Sequence, residues 1–173
     1  MAQDTNNTPE VQTQEDLNEI LKVRREKLNS LKENGKNPFE IVKFDVNTLN
    51  KEIIDNFEML EGKDVTIAGR IMRKRDMGKA SFVDVRDSSD KMQVYIKIDD
   101  VGQESYESVK KIDIGDIVGI TGFVFRTRRG EISVHAKEFT LLSKSLLPLP
   151  EKFHGLKDTE IRYRQRYLDL IVN

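Results

Sequence analysis

A hydrophobic pattern with helical spacing opens the structured part of the chain. Aliphatic residues recur every three or four positions, at Leu17, Ile20, Leu21, Leu28 and Leu31. This spacing predicts an amphipathic helix. Thr13 to Asp16 is typical of a capping box at its start, and Asn34-Gly35, followed by Pro38, supplies its stop signal. The other face carries basic residues that either face solvent or contact a polyanion: Lys22, Arg24, Arg25 and Lys27.

The hydrophobic pattern changes near residue 63 from helical spacing to alternation. Before this point, a shorter helix is predicted from apolar positions 49, 53, 54 and 57, with a cap at Asn47 or Thr48 and an end before Gly62. After it, three alternating runs predict strands near 65–75, 82–86 and 92–97, separated by turns at 77–78 and 88–90. A helical stretch at 105–112 and strands at 116–126 and 131–142 follow.

The predicted order of elements is three strands, one helix and two further strands. This is the layout of the OB-fold, a five-stranded Greek-key barrel that commonly binds oligonucleotides on its second and third strands. We therefore expect an all-β core with accessory helices at its N-terminal side. Gly69, Gly119 and Gly122 interrupt the strand patterns and fit the sharp coiling of such a barrel.

The segments outside the barrel differ in composition. Residues 1–12 are polar and acidic with few apolar groups, so we expect a disordered tail there. Residues 13–62 form the predicted helical extension, and residues 63–144 the predicted barrel domain. In the remaining stretch, 145–173, two prolines between Leu146 and Pro150 predict a stiff linker. The helix-like residues 160–173 are too short for a domain, so we interpret them as the opening of a second domain.

Composition excludes several kinds of chemistry. The 173 residues include no cysteine and two histidines, and 29 basic residues nearly balance 30 acidic ones. Without cysteine there is no disulfide framework or thiol nucleophile, and His135 and His154 cannot build a zinc triad, so we expect no metal site. The paired carboxylates Asp87 and Asp90 lie at predicted strand ends, where turns favour Asp, so we expect no catalytic residue. The sequence contains neither an apolar run near the ~20 residues of a membrane span nor a signal peptide. We therefore expect a cytoplasmic protein without membrane contact.

An aromatic residue occupies an outward position on the second predicted strand. If Val83 and Val85 face the barrel interior, Phe82 faces outward, unless a bulge turns it inward. Gln93 on the third strand faces outward beside it. An exposed aromatic ring can stack on a nucleic-acid base, and a glutamine can both donate to and accept from a base edge. These two residues are the centre of a predicted base-binding surface.

Charged residues lie close to this predicted surface in sequence. The window 70–79 contains five basic residues and a single acidic one. Within it, Lys74 and Arg75 are expected to contact a phosphate or a base carbonyl. Glu131, at the start of the last predicted strand, has two interpretations. It either accepts from a base imino or amino group, or forms an ion pair with Arg128 or Arg129 of the preceding turn.

Three stretches of the sequence resemble the class II lysyl-tRNA synthetases. They are Arg24 to Leu28 with Gly35 and Pro38, Ala68 to Met72 with Met77 to Phe82, and Lys152 to Asp158 with Arg162 to Leu170. The resemblance covers nearly everything from Leu17 to the C-terminus. An OB-fold alone also suits aspartyl and asparaginyl synthetases, but the helix before the barrel and the run Lys-Phe-His-Gly-Leu are similar to the lysyl enzymes in particular.

The resemblance implies a partner and a role for individual residues. The partner is the anticodon stem-loop of tRNA(Lys), with uridines at the central and third positions. Phe82 matches the aromatic that stacks on the central base, and Gln93 the glutamine that reads its edge. The flanking anticodon residues are expected to be Arg75, Lys74, Glu131 and Arg70, and the residues that contact the tRNA backbone Arg24, Arg25 and Lys79.

The same resemblance implies a larger enzyme. Its full form is a homodimeric ligase that activates lysine with ATP and Mg²⁺ as lysyl-adenylate and passes it to the tRNA 3′ ribose. The residues for that chemistry belong to a domain beyond Asn173. We therefore expect this polypeptide to bind tRNA without aminoacylating it, and to use no cofactor of its own.

Two other classes of protein remain open at this point. A freestanding RNA-binding OB-fold protein would share the barrel and its stacking surface. A noncatalytic interaction module would instead use the basic helix near Arg24 to contact another protein.

Overall fold

The computed structural model describes residues 14–150, 156 and 158–173. The expected tail at 1–12, Thr13 of the predicted capping box, and residues 151–155 and 157 lie outside this set. The helices are α1 (Gln14–Glu33), α2 (Asn50–Asp55), α3 (Phe57–Leu60), α4 (Ile98–Val101), α5 (Gln103–Lys111), α6 (Thr159–Arg164) and α7 (Arg166–Val172), with a 3-10 helix at Pro38–Glu40. The strands are β1 (Asp64–Asp76), β2 (Ala80–Arg86), β3 (Lys91–Lys97), β4 (Ile117–Arg126) and β5 (Ile132–Ser143).

The strands close into a barrel with the order β1-β2-β3-β5-β4. Neighbouring strands are antiparallel, except that β3 and β5 are parallel. The apolar residues of the alternating runs fill the interior, as Val65, Ile67, Ile71, Val83, Val85, Met92, Val94 and Ile96 do. This arrangement confirms the predicted OB-fold with preceding helices.

Helix α1 ends at its predicted glycine. Gly35 has φ +67°, a left-handed conformation that favours glycine. The N–H of Lys36 donates to the carbonyl of Leu31 at 2.8 Å, and the N–H of Gly35 donates to Lys32 at 3.1 Å. These two bonds form a Schellman ending, which satisfies carbonyls that the helix leaves unpaired.

The second helix begins later than its predicted cap. The N-cap of α2 is Leu49, whose N–H donates to the Glu52 carboxylate at 2.8 Å. Asn47 instead pairs with the barrel, because its Oδ1 accepts from the backbone N–H of Thr66 at 2.8 Å. Thr48 donates to the same oxygen at 2.8 Å. The prediction that Asn47 or Thr48 caps the helix was therefore wrong, since a contact with β1 takes the Asn47 side chain.

Some segments contain two helices where the sequence pattern indicated one, as α2 and α3 do before Gly62. The connection between β3 and β4 contains α4 as well as α5, where the sequence pattern indicated one helical stretch at 105–112. Gly102 separates the two helices with φ +87°. At the C-terminal end, α6 and α7 meet at Gln165, which has φ −121° and ψ 59° and so leaves the helical region.

A buried charge cluster joins α1 to the barrel. Lys144 Nζ lies 2.6 Å from Asp113 Oδ2 and 2.7 Å from Asp116 Oδ2. The side chains of Lys144 and Asp116 are exposed by only 1% and 0%. Lys27 of α1 donates to Asp113 Oδ1 at 2.7 Å. Because every buried charge here has an opposite partner, the cluster is tolerated in the interior and fixes α1 beside the start of β4.

This cluster predicts a loss of stability in acid. Burial by itself raises the pKa of Asp113, but hydrogen bonds from Lys144 and Lys27 outweigh it and hold the pKa below its usual 3.8. A carboxylate with a lowered folded pKa contributes stability that is present above its unfolded pKa and lost as the pH falls through the folded one. Between about pH 5 and about pH 2, thermal unfolding of Asp113→Asn should therefore depend less steeply on pH than that of the unchanged chain.

The control for this prediction is Glu58→Gln, because Glu58 is exposed. That variant should keep the acid dependence of the unchanged chain. An Asp113→Asn variant with an equally steep loss of stability would show that the cluster does not contribute to it.

Candidate nucleic-acid interface

The outer face of β2 and β3 carries the residues predicted to bind a base. Val83 and Val85 are buried, while Phe82 between Ser81 and Val83 is half-buried. The pairing of β2 with β3 runs without a register shift from Ala80↔Lys97 to Arg86↔Lys91, so no bulge turns the aromatic inward there. Gln93 is half-buried on the same outer face of β3. The structure therefore shows the outward orientation that alternation predicts for both residues.

Phe82 lies at the end of a row of aromatic rings. Its ring centroid is 5.0 Å from that of Tyr95, and the Tyr95 ring is 5.1 Å from His135 in an edge arrangement. His135 in turn stacks on Phe123, with centroids 4.7 Å apart and planes 21° apart. Phe125 lies 6.4 Å from Tyr95. Such a row, which crosses β2, β3, β5 and β4, offers π-faces on which bases can stack.

Sequence reasoning missed Phe123 and Phe125 as part of this surface. Both belong to a long apolar strand, and an apolar run gives no contrast between inward and outward positions. The signal that was available is their alternation with buried Val124. Since Val124 faces the interior, its two neighbours must face outward.

Among the basic residues predicted on β1, Arg75 reaches the aromatic row. It is the Cα partner of Phe82, and its guanidinium carbon lies 5.1 Å from the Phe82 ring centroid. This is the geometry of a cation–π contact. The structure therefore places a positive charge beside the ring of Phe82.

The structure does not bring Lys74 and Arg70 to the same place. Lys74 is 13% exposed and donates to the carbonyl of Lys110 at 2.7 Å, on the side of the strand opposite to Arg75. Arg70 lies five residues before Arg75 on β1 and donates to the carbonyl of Gly115 at 2.8 Å. Both side chains connect β1 to the segment around α5.

Of the three residues predicted to contact the tRNA backbone, one is buried inside the protein and two are exposed. Arg24 is only 8% exposed, and its guanidinium donates to the carbonyl of Ser145 at 2.7 Å and of Leu147 at 3.3 Å. It therefore holds α1 against the segment that follows β5. Arg25 and Lys79 are exposed, the latter in the turn between β1 and β2.

Glu131 lies in the turn before β5 and does not open the strand. Its N–H donates to Thr127 Oγ1 at 3.1 Å, and its carbonyl accepts from the N–H of Thr127 at 2.9 Å. Within the described residues, no cation lies within salt-bridge distance of its exposed carboxylate, and this holds for Arg128 and Arg129 of the same turn. The structure thus leaves the carboxylate open to accept a hydrogen bond.

The part of the chain that the structure describes contains neither a membrane-spanning helix nor a cluster of metal-ligating side chains. None of its helices has the length and apolar character needed to cross a membrane. Among the same residues, no three His, Cys, Asp or Glu side chains come together in a way that could hold a metal ion.

Comparison with known proteins identifies the class of the barrel. Residues 65–142 match the family model tRNA_anti-codon, described as an OB-fold nucleic acid binding domain. The matched stretch contains all of β2 to β4 and all but one residue each of β1 and β5, and it includes the whole aromatic row. The barrel is therefore an OB-fold nucleic-acid-binding domain.

Curated relatives narrow this class further. The chain is 54% identical over 164 residues to "Lysine--tRNA ligase" of Clostridium novyi, a match that covers 95% of this chain and 32% of that protein. It is also 54% identical over 159 residues to the protein of that name from Thermoanaerobacter pseudethanolicus, and over 160 residues to that from Clostridium tetani. The chain spans about a third of the length of these relatives. It corresponds to the N-terminal, OB-fold anticodon-binding region of the lysine–tRNA ligases, which confirms the resemblance found in the sequence.

Proposed function

We propose that the barrel binds the anticodon loop of tRNA(Lys) on the outer face of β2 and β3. The observation that carries this proposal is the presence of an outward aromatic, Phe82, and an outward amide, Gln93, on two paired strands, with Arg75 against the ring. Phe82 stacks on the central anticodon base and supplies affinity. Gln93 contacts the edge of that base and supplies discrimination. The names of the relatives support the choice of a lysine tRNA.

The flanking residues contribute according to their exposure. Arg75 contacts a phosphate or a base carbonyl, and Glu131 accepts from an imino or amino group of a neighbouring base. Arg25 and Lys79, both exposed, contact the tRNA backbone. Arg24, Arg70 and Lys74 donate to backbone carbonyls, so their contribution to RNA binding is indirect, through the position of α1 and β1.

The activity of the longer protein belongs to the same proposal. A lysine–tRNA ligase of this kind activates lysine with ATP and Mg²⁺, transfers it to tRNA and works as a homodimer in the cytoplasm. The names of the relatives support the ligation of lysine to tRNA, and the barrel supplies the tRNA recognition. We assign none of the described residues to ATP, Mg²⁺ or the dimer interface.

Binding of RNA hairpins tests the proposal. Fluorescence anisotropy of this chain with a U-U-U anticodon stem-loop, and with the same hairpin carrying a central C, should show a preference for U of roughly 1–3 kcal/mol. The measurement is made at two salt concentrations, because phosphate contacts weaken as salt rises whereas base discrimination persists.

Two outcomes would contradict the proposal. Equal binding of both hairpins with a steep salt dependence would indicate a general polyanion groove. No binding to either hairpin would favour a protein-interaction module.

A further inference from the structure

Ser133 is a fully buried hydroxyl group on the outer side of the barrel. It lies on β5 between Gln93 of β3 and Phe125 of β4, its Cα partners on the two neighbouring strands. Its exposure is 0%, although Val134 beside it is the residue that faces the interior. Because a small side chain is enclosed here among larger ones, the polar groups that Ser133 can reach are few.

The Ser133 hydroxyl has one near acceptor. Its Oγ lies 3.0 Å from Gln93 Oε1 and 3.4 Å from the carbonyl of Glu131. A serine hydroxyl has a single proton, and hydrogen bonds weaken with distance, so the proton goes to the Gln93 amide oxygen. The Gln93 amide is therefore oriented with Oε1 toward Ser133 and Nε2 away from it.

The Nε2 group of Gln93 is left free to donate. Among the described residues, none accepts a hydrogen bond from it. The nearest carboxylate in register is Asp84, the Cα partner of Gln93 on β2, which lies 3.8 Å from Lys91 Nζ instead. Both N–H bonds of the amide are thus without an acceptor among the described residues, on the outer face that also carries Phe82.

We infer that Ser133 is a positioning residue that makes Gln93 a hydrogen-bond donor toward the bound base. This inference rests on the proposed function and adds to it the basis of base selection. Uracil presents a carbonyl where cytosine presents an amino group. The Gln93 Nε2 group donates to the uracil carbonyl. Opposite cytosine, Nε2 and the amino group of the base are both donors, so neither finds an acceptor. A reversed amide would present Oε1 and favour cytosine.

The test compares variants on hairpins with a central U and a central C, at one salt concentration. Ser133→Ala removes the hydrogen bond that holds the amide, so the U-to-C affinity ratio should fall by about three- to tenfold. Ser143→Ala, on the same strand and far from Gln93, is the matched control and should keep the ratio. Thermal unfolding of each variant shows whether it is folded.

Gln93→Glu gives a second, independent result. One carboxylate oxygen accepts from Ser133 and the other faces the base as an acceptor, so the ratio should move toward cytosine by about tenfold or more. This variant tests the donor role of Gln93 even if Ser133→Ala does not fold, because Gln93 is half-buried on the outer face and its replacement is close in shape.

The outcomes separate the inference from the proposed function. If the unchanged chain shows no preference between the hairpins, the proposed function fails. If the unchanged chain prefers U and Gln93→Glu shifts the ratio, but a folded Ser133→Ala keeps it, the positioning role of Ser133 is overturned and the proposed function stands. If Gln93→Glu also keeps the ratio, the inference is overturned together with the discriminating role that the proposed function gives to Gln93. Equal weakening of both hairpins by Ser133→Ala, with a lowered melting temperature, would show a structural role and would also overturn the inference.

Discussion

Replacing Phe82 with alanine is expected to weaken binding of a U-U-U anticodon hairpin by about 1–3 kcal/mol. The ring is held from two sides, by Tyr95 at 5.0 Å and by the guanidinium of Arg75 at 5.1 Å, so it is ordered before a base arrives. Its loss removes the stacking surface and the partner of Arg75 together. The core beneath it consists of Val83 and Val85, so the free energy of unfolding should change less than the free energy of binding.

Three further variants define the origin of this effect. Phe82→Trp keeps an aromatic face and should retain most of the binding, whereas Phe82→Leu keeps apolar area without a π-system and should not. Phe39→Ala is the control, because Phe39 is a 47% exposed aromatic outside the barrel strands. If Phe82→Ala binds the hairpin as tightly as Phe39→Ala does, Phe82 does not stack on the RNA.

Replacing Gly122 with alanine is expected to destabilise the fold by about 3 kcal/mol or more. The added Cβ would overlap the backbone carbonyl oxygen of His135 and lie 2.8 Å from its carbon. Because the obstacle is main chain of the paired strand β5, it cannot move without opening the ladder. The melting temperature should fall by roughly 6–12 °C in a chain of this size.

Gly119→Ala is the matched control on the same strand. The Cβ added there would lie 2.6 Å from Phe44 Cε1, in the ring of a side chain that is half-buried. A ring at the edge of the barrel can turn aside, so this variant should lose clearly less stability than Gly122→Ala. An equal loss in both would mean that the close approach of β4 and β5 is not what requires Gly122.

The barrel could be predicted from the sequence because its strands bury one face. The alternation of Val83 and Val85 with Phe82 and Asp84 reports which side faces the interior. Three such runs, followed by a helical segment and two further strands, define the topology. What the pattern could not give was the role of Asn47. Its side chain binds Thr66, nineteen residues away in sequence, and this contact displaces the expected helix cap.

The candidate site was predictable in its centre and less so at its edges. Phe82 and Gln93 follow from alternation alone. Adjacent residues of a strand face opposite sides, so Lys74 and Arg75 could not both reach the ring, and a register shift between Ile71 and Arg73 determines that Arg75 does.

Arg24 shows a different limit of sequence reasoning. On a helical projection Arg24 belongs to the basic face of α1. In the structure it is buried and donates to the carbonyls of Ser145 and Leu147. These acceptors lie more than a hundred residues away in sequence. No local pattern reports such a contact, because it depends on how α1 packs against the segment after β5.

The most direct test of the central claim is a ¹⁵N NMR titration of this chain with the U-U-U anticodon stem-loop. The largest shifts are expected at Phe82, Arg75 and the side-chain amide of Gln93, whereas Arg25 of α1 should respond weakly and in a salt-dependent manner. Shifts concentrated on α1, with the Gln93 side-chain amide unmoved at saturation, would contradict recognition of the anticodon by the outer face of β2 and β3.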